Sequence, residues 1–246
     1  MSDPLHTAVV TGAGRGFGRA ISAALVAAGT RVVGIARTER DLEAVRDELG
    51  DGFTPLTADA TDESVAQRVV HDHRPGLLVL NAGATPHMAP VHEQTWETFS
   101  RNWHADTRHA FVWTRAALRE PLAPGSTVVA LSSGAVLAGS PLSGGYASAK
   151  AAVRYLTGYA ADESRRAGLG IRFVTLLPQL TPATALGSAG VAGYAARQGV
   201  DRDTFVAGLQ PVLTPEQVAK AVTELAADPG SAAEYRISGA GLRPLG

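Results

Sequence analysis

Thr7-Ala8-Val9-Val10-Thr11-Gly12-Ala13-Gly14-Arg15-Gly16-Phe17-Gly18 is the stretch that decides the fold. Its first part belongs to an apolar run, His6–Thr11, of strand length, with β-branched Val9 and Val10 at the centre. The glycines follow at once, and Arg19–Ala28 continues as a helical run. A strand, a glycine turn and a helix start form an anion site, because backbone N–H groups and the positive helix end point at a phosphate. The spacing is G-x-x-x-G-x-G, since Phe17 occupies the last position of the G-x-G-x-x-G pattern.

Outward from that turn, strands and helices alternate. Arg31–Ala36 reads as a second strand, and Thr38–Leu49 as an amphipathic helix capped by Thr38 and ended by Gly50. Phe53–Ala58 is a third strand closed by Asp59, and Thr61–His73 a helix stopped by Pro75-Gly76. Leu77–Leu80 is continuously apolar, as a parallel strand buried on both faces must be, and ends in Asn81-Ala82-Gly83. Glu93–Leu118 reads as one long helix, Thr127–Leu131 as a fifth strand, Gly144–Ala167 as a helix and Ile171–Leu177 as a sixth strand. Thr214-Pro215-Glu216-Gln217 opens a helix to Ala227, and Glu234–Ser238 is a seventh strand. The pattern predicts one doubly wound α/β domain over residues 1–246, with a seven-stranded, mostly parallel sheet and helices on both faces. Thr181–Pro211 is Ala- and Gly-rich and least regular, and reads as a substrate lid. Its only charges are Arg197, Asp201, Arg202 and Asp203, which points to a neutral or apolar compound beneath it.

The bulk properties exclude several classes. Hydrophobic content of 45% with 18% charged residues describes a globular core, and a net charge of −1 without like-charge runs argues against nucleic-acid or membrane-surface binding. With no cysteine there is no disulfide framework, thiolate nucleophile or Cys-based metal site, and no metal is expected. No leader pattern occupies Met1–Leu5 and no apolar stretch reaches membrane-span length, so the cytoplasm is the expected location.

Ligands of open α/β sheets bind beyond the carboxyl ends of the strands, where Asp59 and Asn81 stand. At the end of the second strand an acid would hold a ribose 2′-hydroxyl, whereas an Arg would accommodate a 2′-phosphate. This chain places Arg37 there and a second cation, Arg15, in the glycine loop, so NADP(H) is expected rather than NAD. Glu39 and Asp41 fall instead in the first turn of the following helix, where its dipole favours them.

Ser133-Gly134-Ala135 through Gly145-Tyr146-Ala147-Ser148-Ala149-Lys150 carries the chemistry. Tyr146 and Lys150 stand four apart, on one face of a helix, and Ser133 follows the fifth strand. Of 22 basic residues only Lys150 and Lys220 are lysines, so Lys150 marks a need for a compact ammonium. A free phenol has a pKa near ~10, and an ammonium about 4 Å away lowers it by roughly two or three units at an effective dielectric of about 20. That makes Tyr146 a usable proton donor at neutral pH.

Together these residues make the chain resemble the short-chain dehydrogenase/reductase family over nearly its whole length. The matching residues are Thr11-Gly12-x-x-x-Gly16-x-Gly18, Asp59, Asn81-Ala82-Gly83, Asn102, Ser133 and Tyr146-x-x-x-Lys150. The resemblance implies a Rossmann-type fold, hydride transfer between a nicotinamide and a small-molecule carbonyl or alcohol, and a homodimer or homotetramer. It implies that Tyr146 is the general acid or base, Lys150 its modulator and ribose contact, Ser133 the partner of the substrate oxygen, and Asn102 the holder of a relay water. The cofactor cleft would be formed by Gly12, Gly14, Arg15, Gly16, Phe17, Gly18, Arg37, Thr38, Asp59, Ala60, Asn81, Ala82, Gly83, Tyr146, Lys150 and Pro178, with Thr181 or Thr184 at the carboxamide. Two stretches depart from the family: Pro178-Gln179 stands for Pro-Gly, and Ile237-Ser238-Gly239-Ala240-Gly241 lacks the Val-Asp-Gly-Gly ending. The complete Asn102/Ser133/Tyr146/Lys150 set favours a reductase over a cofactor-sensing binding protein; dehydration or epimerisation on the same scaffold is the other alternative.

Overall fold

The computed structural model describes residues 7–230 and 232–245. The strands are β1 (Thr7–Thr11), β2 (Arg31–Ala36), β3 (Phe53–Thr57), β4 (Leu77–Leu80), β5 (Thr127–Leu131), β6 (Arg172–Pro178), β7 (Glu234–Ser238) and β8 (Gly241–Pro244). They form one sheet in the order β3-β2-β1-β4-β5-β6-β7-β8. Neighbours from β3 to β7 pair in parallel, while β8 returns antiparallel to β7. His6, placed in the first strand from sequence, lies outside the described residues.

The sheet therefore has eight strands, not the expected seven. The missed strand is four residues long and holds one large apolar side chain, Leu242, so no alternation announces it. It exists because Ser238 pairs with Gly241 across a tight hairpin, with Gly241 at φ 111°, and Leu245 N–H closes on Glu234 O at 2.9 Å.

The helices are α1 (Gly16–Ala27), α2 (Glu39–Leu49), α3 (Glu63–His73), α4 (Trp96–Asn102), α5 (Arg108–Arg119), α6 (Ala135–Ala138), α7 (Gly144–Arg166), α8 (Ala185–Gln198), α9 (Arg202–Ala207) and α10 (Pro215–Ala227). Alternate strand residues face opposite ways, so each parallel strand feeds two cores. Val10, Val32 and Val129 pack with Ile21 of α1, Leu42 of α2 and Val222 of α10. Val9, Val33 and Val128 pack on the other face with Val69 of α3, Trp113 of α5 and Val153 of α7.

Two expectations need correction. The long helix starts at Trp96, behind a reciprocal cap between Thr95 and Thr98, and not at Glu93. It is also interrupted: Trp103–Thr107 is a π-helical turn between α4 and α5. The segment 181–211 is not irregular, since it holds α8 and α9, capped by Thr184 and Asp201. The buried face of α8 is Gly187, Gly190, Val191 and Ala195, a stripe too small to register as apolar periodicity.

Candidate active site

The glycine turn is a cradle that side chains would fill. Gly12 has φ 68°, and Gly12 and Ala13 N–H both bond Ile35 O, at 2.7 and 3.1 Å. A Cβ on Gly18 would come 2.1 Å from Gly12 O, so helix α1 starts hard against the turn. Asn81 donates its amide hydrogens to Thr11 O and Gly12 O at 2.9 and 3.2 Å. Thr11 Oγ1 in turn accepts from Asn81 and Ala82 N–H at 3.0 and 3.1 Å. The open, glycine-lined turn at a helix start fits a dinucleotide pyrophosphate.

Around it, Arg15, Arg37, Thr38 and Asp59 are exposed at the carboxyl ends of β1, β2 and β3. Thr38 precedes α2 without a side-chain capping bond. Asp59 Oδ1 accepts from Thr61 N–H and Thr61 Oγ1, both at 2.8 Å. That turn bond, with a smaller contribution from Arg37, holds the Asp59 carboxyl below its ordinary pKa. Ala60 is buried and its carbonyl accepts Trp113 Nε1–H at 2.8 Å. Pro178 ends β6, and its carbonyl accepts Gly134 N–H at 2.8 Å. Thr181 is buried, donates to Leu213 O at 2.5 Å and accepts from Ala183 N–H at 3.1 Å, so its hydroxyl is committed within the chain. Thr184 instead sets its methyl group 3.6 Å from the Cβ position of Gly16, above the glycine turn.

Tyr146 lies in the first turn of α7, where Gly145 brings that helix onto α4: a Cβ there would sit 2.2 Å from Phe99 O. Lys150 Nζ lies 5.8 Å from the centre of the Tyr146 ring and donates to Leu131 O, the end of β5, at 3.0 Å. Ser133, just beyond β5, accepts Ala135 N–H on its Oγ at 3.2 Å. Burial is the largest influence on the phenol and pushes its pKa up, while Lys150 and the Ser133 side chain pull it down. The balance is upward, contrary to the sequence expectation, because burial of the phenol disfavours its charged form.

Asn102 is buried at the end of α4 and donates to Ala84 O at 2.8 Å. Its other neighbour is a residue the sequence reading missed, Asp106, whose Oδ2 lies 3.3 Å from Asn102 Nδ2 and 3.7 Å from Lys150 Nζ. Asp106 Oδ1 accepts Ala84 N–H at 2.7 Å. The signal was present in the spacing: Asn102 and Asp106 stand four apart, about one helical turn. On the substrate side, Tyr194 of α8 shares hydroxyl bonds with Ser140 and Ser143 at 2.5 and 3.3 Å. Among the described residues no group of His, Cys, Asp or Glu could hold a metal, and no helix is long and apolar enough to cross a membrane.

Residues 6–192 match the family described as short chain dehydrogenase. The chain is 34% identical over 118 residues to D-erythrulose reductase of Gallus gallus, covering 48% of each chain. It is 33% identical over 153 residues to carbonyl reductase [NADPH] 2 of Sus scrofa, covering 61% of this chain and 62% of that one. Over 117 residues it is 33% identical to L-xylulose reductase of Homo sapiens, covering 48% of each. The chain thus spans about half to three-fifths of the length of these curated relatives.

Proposed function

Since the chain belongs to the short-chain dehydrogenase family, we propose that it is an NADP(H)-dependent oxidoreductase that reduces a ketone or aldehyde to an alcohol, or runs the reverse. The observation that carries this reading is the Lys150 ammonium, tied to Leu131 O at the carboxyl end of β5 and 5.8 Å from the centre of the Tyr146 ring. When bound, the nicotinamide cofactor would supply or accept the hydride. Tyr146 gives its phenolic proton to the carbonyl oxygen as that oxygen gains charge, so hydride and proton together complete the alcohol. Ser133 hydrogen-bonds the same oxygen, and Lys150 stabilises the phenolate left behind. The glycine turn holds the pyrophosphate, and Arg15 and Arg37 hold a 2′-phosphate. Asp59, Ala60 and Thr38 border the adenosine end, and Asn81, Ala82 and Gly83 shape the floor. Residues 181–211 cover the substrate as part of a single domain.

The partner is a second copy of the chain. Trp96, Trp103 and Phe111 are exposed beside Leu156, and Tyr155 and Tyr159 extend the same α4–α5–α7 face into solvent. An aromatic-rich patch of this kind matches the core of a homodimer interface.

Tyr146→Phe tests the proton role. The expected result is a fall in kcat of roughly 10²–10⁴-fold, with NADPH still bound by fluorescence titration. A Phe variant with full turnover would overturn the assignment. NADPH binding by the wild type without oxidation across a broad carbonyl panel would favour a sensing protein instead.

A further inference from the structure

We propose that Asp106 is a positioning residue for proton transfer: its buried carboxylate, 3.7 Å from Lys150 Nζ, balances the charge of the ammonium that faces Tyr146. The inference rests on the reading that Tyr146 carries the proton.

Asp106 sits in the π-helical turn between α4 and α5, with its side chain fully enclosed. Each hydrogen-bonding group around it is a donor: Ala84 N–H at Oδ1, and Asn102 Nδ2 and Lys150 Nζ at Oδ2. A group that only accepts satisfies this arrangement. An asparagine would turn its NH2 against Ala84 N–H in one orientation, or against Asn102 and Lys150 in the other. Gly83 leaves the room, since a Cβ on it would lie 2.9 Å from Oδ1. The carboxylate is thus built into the floor formed by the end of β4, and Lys150 is its cation.

The charges facing this pair all act on Tyr146 or on its neighbours. Burial pushes the Asp106 carboxyl above its ordinary range, and Lys150 and the Ala84 bond oppose that. His109, at the start of α5, is pushed down to about 3 by burial and by Lys150, against Asp59, and so adds no charge at neutral pH. At Tyr146 itself burial, Asp106 and Tyr194 favour the neutral phenol, while Lys150 and Ser133 favour its anion. Asp106 therefore sets how much of the Lys150 field the phenol feels. Without it Lys150 would be a buried cation with a single carbonyl partner, Leu131 O.

The test is a tyrosinate absorbance titration of the full chain without cofactor. Subtracting the same titration of Tyr146→Phe isolates the Tyr146 midpoint. Asp106→Asn is expected to lower that midpoint by about one pH unit. The basic limb of kcat/KM for carbonyl reduction, which needs the phenol protonated, should move the same way. An unchanged or raised midpoint overturns the proposal, because a merely structural aspartate would alter yield and Tm but not the titration. Should Asp106→Asn fail to fold, Asp106→Ser keeps an acceptor for Ala84 N–H and carries the same expectation. If neither variant folds, the carboxylate is scaffold and the proposal falls. A lowered midpoint alongside a fully active Tyr146→Phe would support the charge balance while sinking the reductase mechanism. An unmoved midpoint with an inactive Tyr146→Phe would sink only the role of Asp106.

Discussion

Two glycines of α7 give opposite predictions for one substitution. Gly145 and Gly158 both lie within that helix. In a free helix, Gly→Ala stabilises by about 1 kcal/mol through backbone entropy. At Gly158 nothing in the chain lies within 4 Å of the new methyl, so within a single chain the helix gain stands alone. At Gly145 the methyl would fall 2.2 Å from Phe99 O and 3.0 Å from Phe99 C. These are main-chain atoms of α4 and have no rotamer to escape into, so the two helices must part by about 1 Å to restore an ordinary contact. Overpacking of this kind costs about 1–3 kcal/mol, which exceeds the propensity gain over most of its range. In a chain of this size each kcal/mol moves Tm by about 2–4 °C. Gly158→Ala is expected to raise Tm by about 2–4 °C, and Gly145→Ala to lower it by several degrees, read by calorimetry on both variants in parallel. Gly145→Ala should also lower kcat by about tenfold or more, because the displaced residue next in sequence is Tyr146. A Gly145→Ala protein as stable and active as Gly158→Ala would refute the close approach of α4 and α7.

Two further predictions concern the cofactor and the assembly. Arg37→Ala should weaken NADPH about 10- to 100-fold through loss of a charge-assisted contact while leaving NADH nearly unchanged; equal losses for both, measured by fluorescence titration, would remove the 2′-phosphate role. Trp103→Glu places a charge on the aromatic face of α4, α5 and α7 and should shift the sedimenting mass toward the monomer. An unaltered mass would move the interface elsewhere.

The middle of the parallel sheet was legible because β1, β4 and β5 centre on apolar runs that run out at glycine, asparagine or serine: Ala8-Val9-Val10 and Leu77-Leu78-Val79-Leu80 admit few other readings. Tyr146 and Lys150 were legible through their helical spacing and the scarcity of lysine. What escaped was whatever depended on contact between distant residues. Asp106 lies inside the stretch read as one long helix, and only the π turn and the room at Gly83 place its carboxylate beside Lys150. Thr181 looked like a hydroxyl free for a ligand, but Leu213, 32 residues away, takes its hydrogen bond. Helix α8 was hidden because it packs through glycine and alanine, which carry no hydrophobic signature even when they form the buried face. The net influence on Tyr146 was likewise misjudged from spacing alone, since spacing reveals the ammonium but not the burial that outweighs it.

Thr11 and Asn81 clasp the ends of two neighbouring strands and the turn between them, using their own polar groups on one another's backbone. The nucleotide half of the cleft is consequently finished at folding, before any visitor arrives. A dinucleotide entering it freezes little further backbone there, so the entropy of shaping that half is not charged against affinity. The opposite bank is α8, packed through Gly187, Gly190, Val191 and Ala195 and tied by the Tyr194 hydroxyl to Ser140 and Ser143.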